Sequence, residues 1–248
     1  MPDNVPMSRT LFISDLHLSA ERPETTRAFR ALLENQGAQC DALYILGDLF
    51  DYWLGDDMLD ADPHAREVAD ALAAFARDCA PVTLLPGNRD FLLGERFASE
   101  AGVRLVTQEA VRIDVHAQPV LLAHGDALCT DDLAYQQFRR QVRDAEWRAQ
   151  FLAAPLALRT QQAQEARRQS GEHKYQSAAD IMDVNREAVA ELLREQNFPP
   201  LFIHGHTHRP AHHTHHIEGH ICHRWVLAAW DDARAHAIVL EDGEVRSI

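Results

Sequence analysis

Seven residues of metal-binding type stand at the ends of apolar runs. The string "FISDLHL" carries Asp15 and His17 two positions apart, so both side chains leave an extended segment on the same side. "YILGDLFD" carries Asp48 directly after a glycine, "LLPGNRD" carries Asn88, "LLAHGD" carries His124, and "FIHGHTH" carries His206 and His208. Taken singly, each has an ordinary explanation. An aspartate after a strand caps a helix, and an asparagine after glycine sits in a turn. Five strand ends filled at the same topological position are not explained that way. Open α/β sheets bind ligands at the carboxyl ends of their strands.

The residue types narrow the chemistry. Carboxylates, imidazoles, one neutral amide oxygen and no thiolate suit manganese, iron or zinc better than calcium. Seven ligands exceed what one open catalytic ion uses. They suit two ions ~3.5–4 Å apart that share a carboxylate. Asp48 is the expected bridge, because its flanking glycine removes crowding and it lies between the Asp15/His17 and Asn88 groups in sequence. Such a pair clamps a phosphate and lowers the pKa of a shared water, so hydrolysis of a phosphate ester or anhydride is the expected reaction.

Positioning these residues requires a layered scaffold. Short runs rich in branched side chains at 10–14, 42–46, 82–85, 119–123 and 200–203 are expected to be strands covered on both faces. Between them Phe29, Leu32 and Leu33 share a helical face, as do Val68, Leu72 and Phe75. This alternation predicts an α/β fold. From Arg112 onward strands crowd together, and 221–228, 235–240 and 244–248 look antiparallel, so a second sheet is expected to pack on the first. Residues 133–197 break the rhythm. Tyr135, Phe138 and Val142, then Ile181, Val184, Ala188 and Leu192, fall at helical spacing around a polar stretch, with Pro155 interrupting the first part. A helical insertion standing over a core of 1–132 and 198–248 is expected. "HHTHH" (His212–His216), with His220 and His223 nearby, is expected to be a solvated loop.

The chain has 248 residues, 46% hydrophobic, enough for one sizeable core. Its net charge of -14 argues against nucleic-acid binding, which needs a basic footprint. "MPDNVPMSRT" lacks the layout of a leader and no apolar run approaches ~18 residues, so a cytoplasmic protein that touches a membrane without crossing it is expected. The four cysteines show no zinc-type spacing and are expected to be buried reduced thiols. A monomer is expected.

The ordered set Asp-x-His, Gly-Asp, Gly-Asn, His and Gly-His-x-His resembles that of the calcineurin-like metallophosphoesterases along the whole chain. The resemblance implies a four-layer α-β-β-α sandwich with a two-metal centre at its edge. One ion would be held by Asp15, His17, Asp48 and His208, the other by Asp48, Asn88, His124 and His206. It also implies catalytic and substrate-contacting roles for Asn88, Arg89 and His206. Most members place a histidine where this chain has Arg89. Arginine cannot serve as an acid at physiological pH but offers a fork of hydrogen bonds to phosphate oxygens. The exchange favours a pyrophosphate substrate, whose leaving group needs a proton less than an alkoxide does.

Longer strings narrow the resemblance: "LFISDLHLS", "ALYILGDLFDYWLGDD", "GNRDFLLGERFA", "HGDALCTDDLAYQQFR", "IMDVN" and "HGHTHRPA" are similar to the UDP-2,3-diacylglucosamine hydrolases of the lipid A pathway. That family implies two manganese ions. It also implies attack of a metal-activated water on the nucleoside-side phosphorus, to give UMP and 2,3-diacylglucosamine 1-phosphate (lipid X). The enzymes lie peripherally on the cytoplasmic face of the inner membrane. Another nucleotide pyrophosphatase or phosphodiesterase of the superfamily is the alternative. The insertion would be a lid for acyl chains, and its Trp147, Phe151, Leu152, Leu156 and Leu158, interleaved with Arg143, Arg148 and Arg159, suit lipid and anionic headgroups. By the same resemblance Asp132, Ser170, Lys174 and Ser177 would contact substrate, with Lys174 and Ser177 departing from the commoner Asn and Lys.

Overall fold

The apolar runs become strands because both of their faces are covered. In the computed structural model, which describes residues 9–36, 39–176, 183–230 and 234–248, β1 (Arg9–Ile13) is buried along its whole length. It pairs in parallel with β2 (Ala42–Leu46), which continues in parallel to β3 (Val82–Leu85) and β4 (Val103–Leu105). On its other side lies antiparallel β10 (Ile238–Glu241), followed by β11 (Glu244–Ser247). The order is β11-β10-β1-β2-β3-β4.

The helices that connect parallel neighbours cover one face of this sheet. Phe29, Leu32 and Leu33 of α1 (Pro23–Gln36) join Val68, Leu72 and Phe75 of α3 (Pro63–Asp78) against Leu11, Ile13, Leu43 and Ile45. Asp62 starts α3 by accepting the His64 amide at 2.9 Å, with Pro63 in the first turn. Two shorter helices, α2 (Met58–Ala61) and α4 (Glu95–Glu100), complete this side. The opposite face turns Phe12, Leu46 and Leu85 toward Val120, Leu122, Leu201 and Ile203 of a second sheet.

That second sheet runs β5-β6-β7-β9-β8, from β5 (Ala110–Val115) and β6 (Gln118–Ala123) through β7 (Leu201–His204) to β9 (His220–Val226) and β8 (Ala211–Ile217). Val189 and Leu193 of α8 (Arg186–Glu195) bury against its outer side with Leu121, Phe202 and Cys222. The result is the expected helix–sheet–sheet–helix stack.

Between β6 and β7 the described residues hold α5 (Leu133–Arg143), α6 (Ala145–Ala153), α7 (Leu156–Gln176) and α8. Asp144 starts α6 by accepting the Trp147 amide at 2.9 Å, and Pro155 separates α6 from α7. Within the expected insertion α8 packs on the second sheet, and α6 and α7 lay Phe151, Leu156 and Ala163 against the first core. The outer sides of α5 to α7 carry the exposed Leu133, Phe138, Leu152 and Leu158. No helix among the described residues is long and apolar enough to cross a membrane.

Three expectations are corrected. His212–His216 is not a loop: it lies in β8, an edge strand paired with β9 over its full length. Backbone pairing, not an apolar pattern, makes this segment a strand. Arg159 does not face headgroups, being 2% exposed and bonded to the Leu54 and Ala154 carbonyls and the Asp57 carboxylate. Of the four free cysteines, Cys79 is exposed and the rest buried.

Candidate metal centre

Parallel pairing brings the carboxyl ends of β1, β2 and β3 to one edge of the first sheet, and those of β6 and β7 likewise in the second. The chain then turns sharply at each end. Asp15, His17, Asp48, His206 and His208 all adopt the left-handed backbone region, with φ of 57°, 50°, 53°, 68° and 55°. Non-glycine residues rarely sit there, and surrounding structure must hold them. The holding bonds are visible: the Asp15 amide donates to the Gly47 carbonyl at 3.1 Å, the His17 amide to Asp48 at 3.0 Å, and the Trp230 amide to the Asp15 carbonyl at 3.1 Å. Gly47 is required where it stands. Its φ is +89°, and a Cβ there would lie 2.5 Å from His124 Nδ1 and 2.6 Å from the Gly87 Cα.

The seven side chains converge. Asp15 Oδ1 lies 3.2 Å from His208 Nε2, and its Oδ2 accepts the His206 amide at 2.8 Å. His17 Nε2 is 3.3 Å from His208 Nε2, and His17 Nδ1 is 3.8 Å from Asp48 Oδ2. Asp48 Oδ1 is 3.7 Å from His124 Nε2. Asn88 Oδ1 sits 2.9 Å from His124 Nε2 and 2.8 Å from His206 Nδ1. Two overlapping sets, Asp15-His17-His208 and Asp15-Asp48-His124, each bring their ligand atoms within 4.8 Å of one another. Asp48 thus stands between His17 and His124, and Asp15 belongs to both sets.

The electrostatics suit cations. His17 Nδ1 is buried with no hydrogen-bond partner, which is costly for a polar atom unless something takes its lone pair. Burial pushes His17 down to about 3 and His206 down to about 4, so both imidazoles are neutral and ligand-ready near neutral pH. Burial lifts the Asp48 carboxyl to about 8, with Asp90 and Asp15 adding repulsion. Burial also works to raise Asp15, yet the His208 hydrogen bond and the imidazoles around it hold that carboxyl below the usual range. A divalent ion removes the cost of keeping both carboxylates charged. The donor set of oxygen and imidazole nitrogen fits such an ion.

Residues 8–210 match the model of the calcineurin-like phosphoesterase family. The chain belongs to that family. Relatives among curated proteins carry the name UDP-2,3-diacylglucosamine hydrolase. The one from Aromatoleum aromaticum is 56% identical over 90% of this chain and 89% of its own. Those from Chromobacterium violaceum and Cellvibrio japonicus are 46% and 45% identical, over 96% and 95% of this chain and 97% and 99% of theirs. A dimetal phosphatase from Danio rerio shares the fold, at 14% identity and a TM-score of 0.51 over 98% of this chain and 99% of that one. As a calcineurin-like phosphoesterase, the protein is a hydrolase that binds divalent metal.

The phosphoesterase centre also depends on residues that motif reading passed over. Asp90 is fully buried and accepts the amides of Gly87 and Leu49, both at 2.7 Å, tying the β2 and β3 loops together. Asp126 accepts the Tyr135 hydroxyl and Arg139 Nε, both at 2.7 Å, while the Tyr135 ring stacks on His206 at 5.9 Å. Arg143 and Arg148, expected from the sequence to meet headgroups, instead reach from α5 and α6 to the carbonyls of Gly87 and Phe91, at 3.0 and 3.4 Å. Each aspartate lies two residues past a ligand candidate, but nothing in that spacing separates an anchoring carboxylate from an ordinary turn residue.

The remaining candidates have these places. Arg89 donates its amide to Asp48 Oδ1 at 2.7 Å and sets its guanidinium 3.2 Å from Asp51 Oδ1. Asp132 caps α5, accepting the Tyr135 amide at 2.9 Å. Positions 170 and 174 lie one turn apart on α7, and Ser177 is outside the described residues.

Proposed function

We propose that this phosphoesterase hydrolyses the pyrophosphate bond of UDP-2,3-diacylglucosamine, releasing UMP and 2,3-diacylglucosamine 1-phosphate as a step in lipid A biosynthesis. The observation that carries this reading is the pair of overlapping clusters Asp15-His17-His208 and Asp15-Asp48-His124, with Asn88 bonded to His124 and His206 beside them and the Arg89 amide bonded to Asp48. The names of relatives at 45–56% identity supply the substrate class.

In this reading Asp15, His17, Asp48 and His208 hold one manganese ion, and Asp48, Asn88, His124 and His206 hold a second. Divalent ions, when bound, supply Lewis acidity toward phosphate oxygens and lower the pKa of water. The chain's own residues position and stabilise the reactants. Asn88 and His206, bonded to each other at 2.8 Å, set one wall of the centre. Arg89 remains charged and donates paired hydrogen bonds to the phosphates as charge builds on the leaving oxygen. The leaving group is itself a phosphate, so no side-chain acid is required. Water attacks the phosphorus nearer the nucleoside.

Helices α5 to α7 form the acyl-chain lid on the core, offering Leu133 at 76% exposure together with Phe138, Leu152 and Leu158. Asp132, at the base of the lid, contacts the sugar end, and Ser170, Lys174 and Ser177 contact the substrate further along. The protein works as a monomer, peripherally, on the cytoplasmic face of the inner membrane and without nucleic acid.

Product analysis tests the reading. Protein stripped of metal and resupplied with manganese is given UDP-2,3-diacylglucosamine in detergent in oxygen-18 water, with UDP-N-acetylglucosamine and a cyclic nucleotide as controls. Label in UMP with both controls untouched is the expected result. Turnover of a control without UMP from the acylated substrate would replace the reading with that of another nucleotide pyrophosphatase or phosphodiesterase.

A further inference from the structure

The histidines of β8 and β9 play no part in the centre described above. On β9, Cys222, Arg224 and Val226 point inward, whereas Ile221 and His223 are exposed. Antiparallel register sets His212 opposite Trp225 and Thr214 opposite His223, so His212 and His223 are diagonal neighbours on the open face. Their Nε2 and Nδ1 atoms are 3.0 Å apart. His212 is also stacked on Trp225, with ring centroids 4.6 Å apart and planes 16° from parallel, which fixes the direction of its imidazole.

Two imidazoles on one metal are spaced by the geometry of that metal. With nitrogens at about 2.0–2.1 Å from the ion, a right angle between them separates the nitrogens by ~2.9 Å and a tetrahedral angle by ~3.4 Å. The 3.0 Å between the two ring nitrogens is set by the hydrogen bond that joins the rings when no ion is present. Replacing its proton with an ion at the right angle needs almost no movement of the stacked His212, whereas the tetrahedral angle would push the rings apart. Tetragonal coordination by nitrogen and oxygen is the preference of copper(II) and nickel(II), and copper(II) binds imidazole most tightly in the first-row series. From this geometry we infer that His212 and His223 form a second metal site, separate from the catalytic centre, that takes a tetragonal dication such as copper(II), with water filling the remaining positions.

The opposite face of the same strands shows why the site is one-sided. His213 and His215 have ring centroids 6.5 Å apart, and Arg224 Nε donates to His215 Nε2 at 3.1 Å. A metal at His212 and His223 displaces only the proton the two rings share, whereas at His215 it would have to displace a guanidinium whose charge repels it. Among the described residues, the bonds of His212 and His223 include no such arginine contact.

Trp225 makes the site readable, because a paramagnetic ion held beside an indole quenches its emission. The untagged full chain, loaded with manganese, is titrated with copper(II) while tryptophan emission and released manganese are followed. One copper equivalent is expected to bind with partial quenching and no manganese release. His212→Ala with His223→Ala removes that equivalent and its quenching. His213→Ala with His215→Ala keeps both, and Trp225→Phe keeps the equivalent while losing the quenching. Survival of the equivalent in the His212/His223 variant, or uptake of copper only against release of manganese, overturns the proposal. His212, His213 and His223 are exposed and His215 is half-buried on an edge strand, so circular dichroism of each variant should match that of the parent.

Discussion

The carboxylate of Asp90 accepts the Leu49 amide at 2.7 Å across 41 residues of sequence. It also accepts the Gly87 amide, so the loop that carries Asp48 and the loop that carries Asn88 share one buried anchor. Bonds from backbone amides to a carboxylate are shorter and stronger than neutral ones. The precision of the centre therefore rests partly on a residue that would never touch the metal.

Asp90→Ala should destabilise the fold by about 3 kcal/mol or more, since it leaves buried amides without an acceptor. Asp90→Asn keeps the shape and one acceptor oxygen, so its loss should be smaller. Denaturant midpoints and bound metal, measured on both variants, check this. A midpoint for Asp90→Ala equal to that of the parent would remove the anchoring role.

Metal removal should lower both activity and stability. Asp15 and Asp48 are 0% and 2% exposed, and a cation that binds only the folded state adds about 2.7 kcal/mol at a hundred times its Kd. Chelation should depress the melting temperature, and manganese should restore it together with turnover. Asp48→Ala should retain less metal by elemental analysis and lose about three orders of magnitude in kcat/KM.

Arg89→Ala should lower kcat by about a hundredfold to a thousandfold, the range seen when one preorganised donor to developing charge is removed. Its contact with Asp48 is through the backbone, which the substitution leaves in place, so metal content should not change. Arg89→Lys should recover part of the rate, because lysine supplies the charge without the fork. Loss of metal in Arg89→Ala would assign the side chain a structural role instead.

Acid should unfold the protein in two identifiable stages. Burial, then the charge of Arg224, holds His204 down to about 3, whereas an unfolded histidine titrates near 6.5. Its stabilising contribution is complete above about pH 6.5 and is lost as pH falls toward the folded value. Burial works to raise Asp126, but His124 and Arg139 hold it below the usual carboxylate range. Its contribution is complete above about pH 4 and is lost below that. Unfolding midpoints measured from pH 8 to 3 should therefore flatten from about pH 6.5 downward for His204→Gln and only below about pH 4 for Asp126→Asn. Parallel curves for parent and variants would disprove the assignment.

The sandwich was legible because β1, β2, β3, β6 and β7 are apolar on both faces and punctuated by glycine or by the ligand candidates themselves. The seven ligand candidates were legible because chemistry-bearing residues rarely interrupt such runs in register. Asp90 and Asp126 were not, since an aspartate that anchors amides, a tyrosine hydroxyl or a distant arginine carries no spacing rule. Nor was β8: its alternation is among histidines, and what makes it a strand is the ladder to β9, a partner that no local pattern reveals. Arg159 illustrates the same limit. A lone arginine beside leucines has the same local sequence whether it faces a headgroup or, as here, the carbonyl of Leu54.

The hydrogen bond from the His206 amide to Asp15 spans 191 residues. During synthesis, Asp15, His17, Asp48, Asn88 and His124 leave the ribosome long before His206 and His208 can meet them. The strand that bears Asp15 waits longer still for its antiparallel neighbour β10, close to the end of the chain. A nascent or truncated polypeptide thus carries an incomplete ligand set and no closed cavity to retain a dication. Assembly of the full ligand set therefore waits until His206 and His208 have emerged and β7 has paired with β6.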